Sequence, residues 1–132
     1  MDKIIGIVGG GQLGKMLLQY CSNLGLTTHV YDPSDDCPCR YLCNRFFKGT
    51  FNDRINIIEF GRTCDIITFE LEHIDVGALE HLESIGREVY PNSITLRTIQ
   101  NKFVQKSFFA RRNIPTSNFR MYETINGILI DL

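Results

Sequence analysis

The sequence carries no run of lysine or arginine and no surplus of either charge: 14 Lys+Arg stand against 15 Asp+Glu in 132 residues, a net charge of −1. Nucleic-acid binders and membrane-surface proteins draw much of their affinity from a dense basic patch, so both classes are excluded as partners. No apolar stretch approaches the roughly 20 residues of a membrane span. The start, Met1-Asp2-Lys3-Ile4-Ile5-Gly6-Ile7-Val8, runs straight into glycines without the long apolar core or cleavage site of a signal peptide. A cytoplasmic chain is expected. Histidine is scarce, and His29, His73 and His81 show no ligand spacing with one another or with cysteine. The five cysteines are an odd number, and Cys37-Pro38-Cys39 and Cys43 lack a fourth ligand, so reduced thiols at small, half-buried positions are expected rather than a metal site. Cys21 and Cys64 fall on apolar faces and read as core. Neither an internal repeat nor a low-complexity segment interrupts the chain.

With 43% hydrophobic residues the chain can build one ordinary core, burying very roughly two thirds of the surface of its unfolded form. Residues 3–8 form an apolar run closed by Gly9-Gly10-Gly11, the pattern of a strand buried on both faces. Leu13, Met16, Leu17, Tyr20, Cys21 and Leu24 then recur at helical spacing, which predicts one apolar stripe facing the core, with Gly25 as the stop. Strands are expected at 26–31, 45–48, 65–69 and 88–90, with a short helix at 39–44. Asn52 and Asp75 are expected to cap helices carrying Ile55 and Ile58, and Val76, Leu79 and Leu82. Ser93 opens a helical region through Phe108 that stops at Asn113-Ile114-Pro115. Phe119–Tyr122 reads as a strand, followed by an apolar tail at 127–130. Strands alternating with helices predict an α/β fold, an open parallel sheet with helices on both faces, whose ligands sit at the carboxyl ends of the strands.

Gly9-Gly10-Gly11-Gln12-Leu13-Gly14 fits GxGxxG between strand and helix, and Asp32 follows 18 residues after Gly14, at the end of the second strand. Glycines let a ligand approach the backbone, and the amides at a helix start attract electron-rich groups. A dinucleotide cofactor of the NAD type, a nucleotide-like or sugar-phosphate substrate, and plain turn geometry all remain open on this motif. The fourth strand runs into Thr68-Phe69-Glu70-Leu71-Glu72-His73, where continued extension would put Glu70 and Glu72 on one side. Carboxylates there oppose a pyrophosphate: two unit charges some 6 Å apart cost about 2–3 kcal/mol at an effective dielectric near 20. Ribose hydroxyls or an exocyclic amine suit them as donors. Lys102 and Lys106, at i and i+4 on the later helix, read from spacing alone as a solvated face.

Taken in order, Gly9 to Gly14, Tyr31-Asp32-Pro33 with Asp35, Thr68 to Ile74, Gln100-Asn101-Lys102 and Asn113-Ile114-Pro115-Thr116 closely resemble the N-terminal domain of the 5-(carboxyamino)imidazole ribonucleotide synthase family. These are ATP-grasp enzymes of purine biosynthesis, the ATPase component of phosphoribosylaminoimidazole carboxylase. The resemblance implies a Rossmann-like pre-ATP-grasp domain over 1–115, with 116–132 beginning the connection to an ATP-grasp domain. It also implies ATP with magnesium, bicarbonate and 5-aminoimidazole ribonucleotide as reactants, and a homodimer, which the family often forms. Gly11, Gln12, Leu13, Glu70 and Glu72 match the ribonucleotide side. Lys102 stands where the family places a basic residue that reaches the ATP phosphates. No catalytic residue and no metal ligand is expected within this first third of such an enzyme, so it is expected to be inactive alone. Two departures stand out: Asp36-Cys37-Pro38-Cys39 replaces a common Asp-Ala-Pro-Ala, and Asn101 a common Asp.

Overall fold

The computed structural model describes residues 3–131, except the side chains of residues 130 and 131. The chain forms two compact units, one ending at Leu96 and the other starting at Arg97. The first contains β1 (Ile4–Val8), α1 (Gln12–Asn23), β2 (Thr27–Asp32), β3 (Arg45–Lys48), α2 (Arg54–Arg62), β4 (Ile66–Phe69), α3 (Val76–Ser84) and β5 (Glu88–Tyr90). α4 (Ser93–Gln100) begins in it and ends in the second unit, which adds α5 (Lys102–Arg111) and α6 (Ile125–Asp131).

All strand pairs are parallel and the sheet order is β3-β2-β1-β4-β5, the α/β architecture expected from the alternation of elements. Alternate residues of each inner strand feed opposite cores. On one face Val8, Tyr31 and Ile67 meet Ile57 and Phe60 of α2 and Leu79 and Leu82 of α3, all of them buried. Each such side chain contributes about 1.5–3 kcal/mol. On the other face Ile7 and Val30 meet Leu18 of α1 and Cys37 and Cys39 of the loop after β2. Crossovers to both faces place the ends of β1, β2 and β4 side by side.

Several local expectations are corrected. The buried residues of α1 are Gly14, Leu18 and Cys21, whereas Leu13, Met16, Leu17, Tyr20 and Leu24 are exposed. The reason is steric: Gly14 must face the glycine loop, since a Cβ there would lie 2.1 Å from the Gly9 carbonyl oxygen. That requirement turns the helix about 100° away from its hydropathy maximum. Residues 39–44 form turns rather than a helix. Cys37 and Cys39 are buried, Cys39 completely, rather than half-buried. The cap of α2 is Asp53, whose side chain accepts the Asn56 N–H at 3.1 Å, so the helix starts one residue later than expected and buries Ile57 and Phe60 while Ile55 is exposed. The helical region after Pro91 is divided at Asn101, which caps α5 by accepting the Val104 N–H at 3.1 Å. Residues 119–122 pair with no strand, and the apolar tail is helical as α6.

Two expected outcomes follow. Gly14→Ala should lower unfolding stability by about 1–3 kcal/mol or more, because the obstacle is backbone rather than a movable side chain; urea unfolding at unchanged stability would show that α1 is free to shift. Asp75 caps α3 through the Ala78 N–H at 2.7 Å and receives Arg54 at 2.9 and 3.3 Å. Burial pushes its carboxyl up, but the Arg54 guanidinium and the cap amides outweigh this and hold it below the ordinary 3.8. Its contribution is therefore complete above that value and is lost as the pH falls through the lower folded-state one. Asp75→Ala should cost about 1 kcal/mol at neutral pH and flatten the acid limb of the stability profile below about pH 4.

Candidate functional site

Three loops converge at the carboxyl ends of β1, β2 and β4. After β1, Gly9 turns with φ +107°, a region open to glycine, and its N–H donates to the Tyr31 carbonyl at 2.9 Å. Gly11 stands at the N-cap of α1 with no side chain to satisfy the first amides of that helix. Those amides remain as donors at the positive end of the helix.

The β2 end fixes this loop from below. Asp32 is buried, and its two carboxylate oxygens accept the Gly10 N–H at 2.7 Å and the Ser34 N–H at 2.8 Å. The Cys39 N–H donates to the Gly10 carbonyl at 3.1 Å, and the Cys37 sulfur lies so near Gly10 that a Cβ there would meet it at 2.6 Å. Burial pushes the Cys39 thiol up to about 11, so it is a protonated packing group at neutral pH. Sequence reasoning missed this supporting role of residues 37–39. The signal for Asp32 was present in Asp32-Pro33-Ser34, a turn in which an aspartate accepts the amide two residues on.

Glu70 is brought to the glycine loop. A Cβ at Gly9 would lie 3.3 Å from its Cγ and Oε1, and one at Gly11 would lie 3.6 Å from the same oxygen. Gly9 and Gly11 thus lie against a carboxylate acceptor across a narrow gap, and Gln12 and Leu13 follow Gly11 as the first residues of α1. The site offers amide donors on one side and an anionic acceptor on the other. β4 stops at Phe69 and the chain bends at Glu70 and Glu72, so the expected two-residue alternation does not carry through. Glu72 is exposed, with its Oε1 3.9 Å from His73 Nε2. Lys102 belongs to the second unit, where its amine donates to Gln105 at 3.3 Å. Lys106 in the same helix is tied to Thr116 and Ser117. Among the described residues no group of three or more His, Cys, Asp or Glu is placed to hold a metal ion, and no helix is long and apolar enough to cross a membrane.

The geometry disfavours the dinucleotide alternative, because the acid that would meet a ribose, Asp32, is already engaged by two backbone amides inside the protein. Comparison with known proteins agrees. The family model for the ribonucleotide synthetase preATP-grasp domain matches residues 1–100. Phosphoribosylaminoimidazole carboxylase, chloroplastic, of Vigna aconitifolia is 37% identical over 126 residues, covering 96% of this chain and 23% of that protein. Among solved structures, N5-carboxyaminoimidazole ribonucleotide synthetase from Thermotoga maritima superposes with a TM-score of 0.90 at 34% identity, over 98% of this chain and 36% of that one. The Aspergillus clavatus N5-carboxyaminoimidazole synthase, solved with ADP and 5-aminoimidazole ribonucleotide, gives a TM-score of 0.81 at 34% identity over 89% of this chain and 31% of that one. The chain therefore spans about a quarter to a third of these relatives. Its motifs, sheet order and family match agree, and the chain belongs to the ribonucleotide synthetase preATP-grasp domain family, in the branch of the N5-carboxyaminoimidazole ribonucleotide synthases.

Proposed function

We propose that residues 1–115 form the substrate-side domain of an ATP-dependent ligase that carboxylates 5-aminoimidazole ribonucleotide with bicarbonate in purine biosynthesis, with 116–132 leading toward an ATP-grasp domain. The observation that carries this reading is the Glu70 carboxylate set against Gly9 and Gly11 beside the uncapped amides of α1. An aminoimidazole ribonucleotide presents hydroxyl and amine donors to Glu70, while its acceptors face the Gln12 and Leu13 end of the helix. Glu72 belongs to the outer edge of the same site. In this reaction ATP phosphorylates bicarbonate to carboxyphosphate and leaves as ADP, and the exocyclic amine then takes up the carbon dioxide, losing a proton as inorganic phosphate departs. Glu70 would orient that amine by accepting its hydrogen bond. Lys102 is assigned to the ATP phosphates. Among the described residues no cluster of His, Cys, Asp or Glu is placed to hold the magnesium that would accompany ATP.

Activity is assigned to the whole protein and not to these residues alone. A cytoplasmic location goes with the reading; the Vigna aconitifolia relative is named chloroplastic.

The test is thermal unfolding with added ribonucleotide. At a hundred times its dissociation constant, 5-aminoimidazole ribonucleotide should stabilise the chain by about 2.7 kcal/mol, and Glu70→Gln should abolish most of the shift. NAD should give none; stabilisation by NAD that strengthens in Glu70→Gln would replace this reading with a dinucleotide module, and no stabilisation by either would leave an interaction domain. Asp32→Asn should weaken ribonucleotide binding about tenfold and cost about 1–3 kcal/mol of stability, since one backbone amide loses its anionic acceptor. Without further domains the chain should show no ATP hydrolysis in the presence of bicarbonate and ribonucleotide; turnover would place the nucleotide site within these residues.

A further inference from the structure

The Glu70 carboxylate is the acceptor half of the site, yet no polar group holds it. Among the described residues its side chain makes no hydrogen bond and no ion pair. An unsupported glutamate on a bend samples several rotamers, and a ligand that fixes one of them pays for the lost freedom. The position of Glu70 therefore rests on packing, and Gly9 shows what does the packing.

Gly9 has φ +107°, and the place where an L side chain would stand is filled from the loop after β4. A Cβ there would lie 2.9 Å from Leu71 Cδ2 and 3.3 Å from Glu70 Cγ and Oε1. One methyl of Leu71 and the stem of Glu70 thus share a single recess on the glycine. Consecutive residues of an extended strand point to opposite faces. Here β4 has ended at Phe69, and the bend at Glu70 turns both side chains toward the same residue.

Leu71 is also tied to the core. It is half-buried and packs against the cluster that contains Val8, Ile67 and Leu79. Glu72 and His73 are exposed, and Ile74, at 3%, is the next inward side chain. The loop is anchored at Leu71 and Ile74, and Leu71 is the anchor beside the carboxylate. An apolar anchor has a chemical advantage. Asp32 is held by amides, and both of its oxygens are spent on the Gly10 and Ser34 N–H groups. A methyl group takes no lone pair, so Glu70 is oriented with its full acceptor capacity left for a ligand.

We infer that Leu71 is a positioning residue of the ribonucleotide site, which seats on Gly9 and thereby holds the Glu70 carboxylate against the glycine loop. The inference rests on the substrate reading above for its ligand, but the geometry is measurable without one. In the unliganded chain, Glu70→Gln should shift the Gly9 and Gly11 amide resonances, because the carboxylate lies against both glycines. In a Leu71→Ala background the same substitution should leave them in place, and Leu71→Met, which keeps the volume, should bring the response back. With 5-aminoimidazole ribonucleotide added, Leu71→Ala should raise the dissociation constant about tenfold, and should add nothing further once Glu70 is replaced. A residue that only supports the fold would weaken both backgrounds alike, and that result overturns the inference. So does a glycine response to Glu70→Gln that persists in Leu71→Ala. Leu79→Val, in the same core, should lower unfolding stability and leave the response intact. If Leu71→Ala does not fold, Leu71→Val draws the methyl back by one carbon and serves the same comparison. A chain that binds no ribonucleotide but keeps the coupling between Leu71, Glu70 and the glycine amides would remove the substrate reading and sustain the positioning role.

Discussion

The close approach of α1 to the Gly9 carbonyl at Gly14 is the constraint on which the site depends. Any side chain at residue 14 would push the helix off the loop, and the loop has no alternative position, because Gly10 is held from below by Asp32 and by the residue 37–39 turn. Helix, loop and turn therefore lock one another. The first amides of α1 stay uncapped within this lock, and they are aimed where the strand ends meet. Local backbone geometry, rather than a charged side chain, sets the donor half of the site.

The acceptor half comes from a different element and is held less firmly. Glu70 follows the last residue of β4 and is exposed, so its carboxylate can meet a polar ligand without the large desolvation cost of a buried acid. A carboxylate this close to the loop repels a pyrophosphate and welcomes hydroxyl and amine donors. The same glycine motif that receives dinucleotides elsewhere is here biased against them by one residue from a neighbouring strand. Asp32 completes the distinction, since its oxygens are spent on the protein's own amides.

The sheet, the strand ends, the Asp75 cap and the proximity of Glu70 to the glycine motif were all legible in the sequence, because each rests on local pattern or on strand order that short crossovers enforce. The burial of α1 was not. Hydropathy ranks Leu13, Met16 and Tyr20 above Gly14, but it has no account of a glycine whose value lies in the absence of a side chain. The turn at 37–39 was hidden for a similar reason: its work is done by a backbone N–H and by thiol packing, and cysteine spacing invites metal or redox readings first. Glu72 was placed by extrapolating a strand past a bend that only the three-dimensional chain reveals.

The misread helix also connects two properties of the molecule. Residues 12 and 13 begin α1, and Leu13 opens the exposed stripe while standing at the donor end of the site. α1 is braced by backbone contact at Gly14 against the glycine loop. The buried face of α1 is narrow, limited to Gly14, Leu18 and Cys21. The glycine that permits close packing on one side thus exposes an apolar surface on the other, and both follow from the same steric requirement.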